Sequence, residues 1–154
     1  MRLLKILSIE DNRKRYPTFP DHLRPATKYT DTTANGLTKC IVDWINFNGY
    51  QAERISSTGR YVDNREKYVN VLNQTVTIGS GKWIPGSTTK GTADISATIR
   101  GRSIKIEVKI GKDRQSEAQK KYQYDVERAG GIYIIAKNFE DFHTWYNNFI
   151  SLNS

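Results

Sequence analysis

Two carboxylates and an ammonium group, Asp94, Glu107 and Lys109, fall within the single stretch Gly91 to Lys109, GTADISATIRGRSIKIEVK. A hard divalent cation takes oxygen ligands and keeps several waters, so one or two carboxylates plus a substrate phosphate complete its shell. The main-chain carbonyl of Val108 is a further oxygen donor. An ion held this way lowers the pKa of a bound water and polarises a phosphoryl oxygen. Lys109 then holds or polarises the attacking water, or offsets charge in the transition state.

Such chemistry requires elements that bring the three side chains together. Thr92 to Ile99 alternates polar and apolar residues, with Asp94, Ser96 and Thr98 on one face, as a half-buried strand does. Arg100 to Ser103 reads as a turn. Ile104 to Ile110 alternates again, turning Ile104, Ile106, Val108 and Ile110 to a core and Lys105, Glu107 and Lys109 to the other face. Folding this hairpin sets Asp94 beside Glu107, with Lys109 on the same face. After a polar connector, Ser116-Glu117-Ala118-Gln119 has the form of a capping box opening a helix. Ala118, Tyr122, Val126 and Ala129 form its apolar stripe, and Gly130-Gly131 ends it.

An acidic residue on one strand, Glu-x-Lys on the next and a following helix that opens with glutamine resemble the PD-(D/E)XK nuclease superfamily, in particular its VRR-NUC and phage resolvase-like branch. The matching residues are Asp94, Glu107, Lys109 and Gln119; Ala93 stands where the family's hallmark has proline. The resemblance implies an α/β fold with a mixed central β-sheet flanked by helices, a restriction-endonuclease-like core. It implies Mg²⁺ as cofactor, with Mn²⁺ able to substitute, held by Asp94, Glu107 and the Val108 carbonyl. Gln119 is then a site residue as well as a cap. The first helix of related nucleases often supplies a further glutamate; here that neighbourhood holds Asn35, Gly36 and Thr38, and Asn35 is the candidate substitute.

Composition agrees with a nucleic-acid partner. Lys and Arg outnumber Asp and Glu by 24 to 16, a net charge of +8, and each phosphate neutralised by a cation releases counterions. Candidate phosphate contacts are Arg54, Arg60, Lys82, Lys90, Lys112 and Arg114. One cysteine, Cys40, excludes an internal disulfide and a multi-cysteine zinc site; it lies in an apolar helical pattern and reads as core. Gly79-Ser80-Gly81-Lys82 lacks the glycine spacing of a P-loop, and Trp83 follows the lysine. His22 and His143 have no metal-spaced partner. The start, MRLLKILSI, is too short and lacks the cleavage pattern of a signal peptide, and no apolar run approaches the roughly 20 residues of a membrane span. The expectation is a cytoplasmic protein, in a bacterial host if phage-encoded, with no membrane partner.

The remaining chain reads as one nuclease domain over 1–154. Residues 1–30 form a basic arm: a short apolar segment at Met1 to Ile9, edge strand or brief helix, then an irregular stretch in which Pro17, Pro20 and Pro25 deny a long helix. Thr33 to Asn48 is an amphipathic helix and Tyr50 to Ser56 a strand. Residues 60–90 are an insertion of short strands ending in a flexible loop, Gly79 to Gly91, whose Trp83 is free to stack on an unpaired base or to pack back on the domain. Ile132 to Ala136 is an apolar strand buried on both faces, and Phe139 to Leu152 a closing helix. The function expected is a Mg²⁺-dependent DNA endonuclease selective for branched or junction DNA in phage or mobile-element processing, a role that allows a homodimer pairing two cuts. A sequence-reading restriction-type enzyme and a catalytically inactive nucleic-acid-binding module are the alternatives; loss of cleavage in Asp94→Ala separates enzyme from binder.

Overall fold

Periodicities of 3.6 and 2 alternate along the chain, and each becomes an element of its own kind. The computed structural model describes residues 1–56, 59–84 and 89–153. They form two compact units, Met1–Ile55 with Lys90–Ser154, and Ser56–Thr89. The first unit opens with helix α1 (Arg2–Arg15), a 3-10 turn (Asp21–Leu23), helix α2 (Ala34–Phe47) and strand β1 (Gln51–Arg54). The second unit holds strands β2 (Arg60–Asp63), β3 (Glu66–Val69), β4 (Thr75–Ile78) and β5 (Gly81–Ile84), paired as β2 with β5 and β3 with β4, both antiparallel. The chain then returns to the first unit as β6 (Ile95–Ile99), β7 (Arg102–Val108), α3 (Glu117–Arg128), β8 (Ile132–Ala136) and α4 (Phe139–Leu152).

The central sheet has the order β1-β6-β7-β8. β1, β6 and β7 are antiparallel neighbours, whereas β7 and β8 run parallel, joined through α3. This is an α/β fold with a mixed sheet flanked by helices, as the alternation of elements predicts. One sheet face carries the core: Leu37, Ile41 and Ile45 of α2 and Phe142 and Tyr146 of α4 close over Ile95, Ala97 and Ile99 of β6 and Ile104 and Ile106 of β7. Each fully buried side chain of this size contributes about 1.5–3 kcal/mol, so this face holds the unit together. Cys40 is fully buried here, and burial pushes its thiol up to about 11. The opposite sheet face lies under α3.

Several expectations change. The N-terminal arm of 1–30 is half helix: α1 runs through Arg15 and inserts Leu4, fully buried, into the core. It stops at Arg15, two residues before Pro17, because the proline ring disfavours helical geometry in the preceding residue, Tyr16. The following arm is tied down by Arg24, which donates to Asp21 Oδ1 (2.7 Å) and to the carbonyl oxygens of Asn12, Tyr16 and Phe19. The expected loop at Gly79 to Gly91 contains strand β5, and its residues 85–88 lie outside the described part. The insertion expected at 60–90 is a unit of its own over Ser56–Thr89. β8 is an edge strand, so Ile135 is 41% exposed where burial on both faces was expected. The α3 stripe is only half-buried, and Ala129 is exposed, because α3 covers the sheet with one shallow face.

Candidate active site

Register is what brings the carboxylates together. In the β6–β7 ladder Ile95 faces Ile106 and Ser96 faces Lys105, so the next position sets Asp94 opposite Glu107. β6 does not continue there. In place of a backbone carbonyl, the Asp94 carboxylate accepts from the Val108 amide through Oδ2 (2.9 Å). An extended residue points its N–H and C=O to the same side, which carries the Val108 carbonyl toward Asp94 as well. The Asp94 carbonyl oxygen in turn accepts from Ile55 N (2.8 Å), just past the end of β1.

Glu107 is the centre of the arrangement, and it is 1% exposed. Its Oε1 accepts from Gln119 Nε2 and from Lys109 Nζ (3.1 Å), and its Oε2 accepts from the Tyr133 hydroxyl (3.3 Å). Burial raises the Glu107 carboxyl above the ordinary range and the neighbouring Asp94 charge adds to this, with Lys109 and Tyr133 opposing. Tyr133 is likewise pushed upward by burial and by Glu107. The Gln119 side chain makes contacts on two sides. Its Oε1 accepts from Ser116 N (2.9 Å) in a complete capping box, and its amide reaches Glu107.

Lys109 is 8% exposed and bridges Glu107 and Asp113 (3.3 Å). Burial works against its ammonium, but the two carboxylates outweigh this and its pKa is raised. Lys109 is therefore cationic at neutral pH: a charge and a donor, not a base. It also lines a cleft of about 320 Å³ together with Asp113, Arg114, Lys120, Ile135 and Lys137. The backbone of Gly91 presses on the first turn of α3. Gly91 has φ +84°, and a Cβ there would run into the Ala118 carbonyl and stand 2.8 Å from Gln119 N.

The other sequence candidates divide. Arg54 ends β1 opposite Ile95, beside Asp94 in the sheet, where it donates to Asn35 Oδ1 (2.8 Å). Asn35 is thus engaged by an arginine, and no contact joins it to Glu107. Lys90 sits exposed in the turn leading to Asp94, Lys112 is exposed beyond Lys109, and Arg114 lines the cleft. Arg60 and Lys82 belong to the second unit, on β2 and β5. Sequence reasoning missed Tyr133, Asp113, Lys120 and Lys137. Tyr133 sits inside an apolar run and reads as core, and only the parallel register of β8 on β7 turns it toward Glu107. Asp113 was visible four residues after Lys109, without anything to mark it as a partner.

The oxygen donors offered, two carboxylates and a peptide carbonyl, suit a hard cation such as Mg²⁺. Among the described residues no group of three or more His, Cys, Asp or Glu side chains converges, so waters and substrate oxygens would complete the shell. Among those residues, too, no helix is long and apolar enough to cross a membrane. No protein-family model matches the chain, and no curated protein matches it.

Proposed function

We propose that this chain is a Mg²⁺-dependent endonuclease of the PD-(D/E)XK type that hydrolyses DNA phosphodiester bonds. The observation that carries the reading is the buried Glu107 carboxylate held against Asp94, with Lys109 and Gln119 on the same oxygen. Leaving a carboxylate so desolvated beside a second one is unfavourable for folding alone, and pairs of this kind concentrate at functional sites. When bound, the ion supplies an activated water and neutralises charge developing on the phosphoryl oxygens.

The chain's own residues do the rest. Asp94 and Glu107 would hold the ion, with the Val108 carbonyl as third donor. The Val108 amide orients Asp94 through Oδ2, leaving Oδ1 without a hydrogen bond among the described residues. Gln119 and Tyr133 fix the Glu107 carboxylate from two sides. Lys109 holds the attacking water or offsets transition-state charge, the roles open to a cation. Arg114 and Lys137 in the adjoining cleft would take neighbouring phosphates of the same strand. Selectivity for branched or junction DNA, action in phage or mobile-element processing, a paired-cut homodimer and a cytoplasmic setting belong to the same proposal, on the strength of the resemblance.

One observation favours a second reading. Asn35, in the first turn of α2, is tied to Arg54, and among the described residues no acid of α2 joins Glu107, as in a binding module that has lost catalysis. Labelled four-way junction, flap, single-strand and linear duplex DNA, incubated with Mg²⁺ or Mn²⁺, separate the two. Metal-dependent cutting by wild type that Asp94→Ala and Lys109→Ala each reduce at least a hundred-fold, about the effect of removing one charge-stabilising group, is the expected result. Salt-sensitive binding without cutting under either metal gives the binding module instead.

A further inference from the structure

The Ser56–Thr89 unit carries an aromatic pair that the chemistry above does not use. Tyr61 on β2 and Trp83 on β5 are register partners, so both side chains leave this two-stranded sheet on one face. Diagonally across from each lies a glycine. A Cβ at Gly81 would run into the Tyr61 hydroxyl and ring, and one at Gly59 would stand 2.6 Å from Trp83 Nε1. The rings thus lie down over the opposite strand's glycine backbone, one face against the ribbon and the other outward.

Covering a glycine with a cross-strand aromatic supports a hairpin, but it leaves the outer ring faces in water. Tyr61 is 56% and Trp83 61% exposed. A flat ring with a supported inner face and an open outer face is what an unpaired base stacks on, with little regard to sequence. The charge around the pair selects the same ligand. Between Ser56 and Thr89 there are four basic residues, Arg60, Arg65, Lys67 and Lys82, against two acidic ones, Asp63 and Glu66. The unit is thus net positive: Asp63, on the same strand face as Tyr61, is taken by Arg65 at 2.7 Å, and Arg60 and Lys82, each one residue along its strand, leave on the other face.

We propose that Tyr61 and Trp83 form a stacking platform for the unpaired bases of single-stranded DNA. The inference rests on the DNA reading above for its choice of ligand and is independent of catalysis. It is tested by binding alone, in EDTA and in an Asp94→Asn background, using anisotropy of a labelled oligothymidylate and of a blunt duplex of equal length. Trp83→Ala and Tyr61→Ala are each expected to weaken single-strand binding about ten-fold while duplex binding changes by less than about two-fold; Trp83→Phe, which keeps a ring and guards against a hairpin that fails to fold, should retain most of the affinity. Single-strand affinity unchanged in both alanine variants overturns the proposal, as does an equal loss on duplex or a loss in Trp83→Phe as large as in Trp83→Ala. Failure here leaves metal-dependent cleavage untouched, and a protein that stacks single strands but cuts nothing removes the nuclease reading alone.

Discussion

Holding Glu107 ionised next to Asp94 costs the folded chain electrostatic free energy that an unfolded chain does not spend. The carboxyl is raised by burial and by the Asp94 charge, so its protonated form is favoured in the fold. The penalty is absent below the ordinary carboxylate range and sets in as pH rises through the raised Glu107 value. Asp94→Asn keeps an oxygen for the Val108 amide and removes the repulsion. Without divalent ions the variant should therefore melt roughly 1–4 °C above wild type at neutral pH, with the difference closing as pH falls. Wild type should gain stability on adding Mg²⁺ and the variant should not. Scanning calorimetry in EDTA and in Mg²⁺ reads both; a variant less stable in EDTA would mean that Asp94 serves the fold more than an ion.

The elements that carry the site meet at the start of α3. Ser116 caps the helix by accepting from Gln119 N (3.3 Å), and the Gln119 side chain closes the box while reaching Glu107. Ser116→Ala should cost about 1 kcal/mol of stability and also loosen Gln119. Its effect on metal-dependent cleavage should thus exceed its effect on melting, which Ser116→Asp, another good cap, should restore. Gly91 works from the other side of the same contact. Gly91→Ala meets both a left-handed φ and the Ala118 carbonyl, and should destabilise by about 1–3 kcal/mol, measured by urea denaturation. At the N-terminal end, Arg24 has only 7% of its side chain exposed and holds the end of α1 to the arm. Arg24→Ala, which strips a charged donor from several carbonyls, should cost about 2–3 kcal/mol. A change in DNA affinity with stability intact would instead return Arg24 to the surface role suggested by its charge.

For the whole molecule the net charge of +8 is a statement about partners. Paired cations contribute little to a polyanion, and Arg13, Arg15 and Arg24 are held by Asp21 and Asp11. The cleft cations Arg114 and Lys137, for which no acidic partner occurs among the described residues, remain open to phosphate. If about four cations engage the backbone, the logarithm of duplex affinity should fall with the logarithm of salt at a slope of roughly −3 to −4. Removing Arg114 and Lys137 together should flatten that slope by about two, as measured by anisotropy across a salt series in EDTA.

Local periodicity and local caps were legible from residue types alone. The alternation on both sides of Arg100–Ser103 specifies a hairpin with Asp94 and Glu107 on one face; the turn is tighter than its residue types suggest, Arg100-Gly101 alone and both at positive φ, and that turn fixes the register that sets the two opposite each other. The Ser116–Gln119 box and the limits of α4 are likewise local signals. What tertiary structure alone decided depends on contacts distant in sequence. Tyr133 reaches Glu107 only because β8 docks parallel on β7, and Ile135 stays exposed only because β8 is an edge. Charge run and proline spacing mark an irregular basic arm, and only folding assigns Leu4 to the core and Arg24 to a clasp. A residue's type limits the interactions it is able to make; its neighbours in space determine which of them it makes.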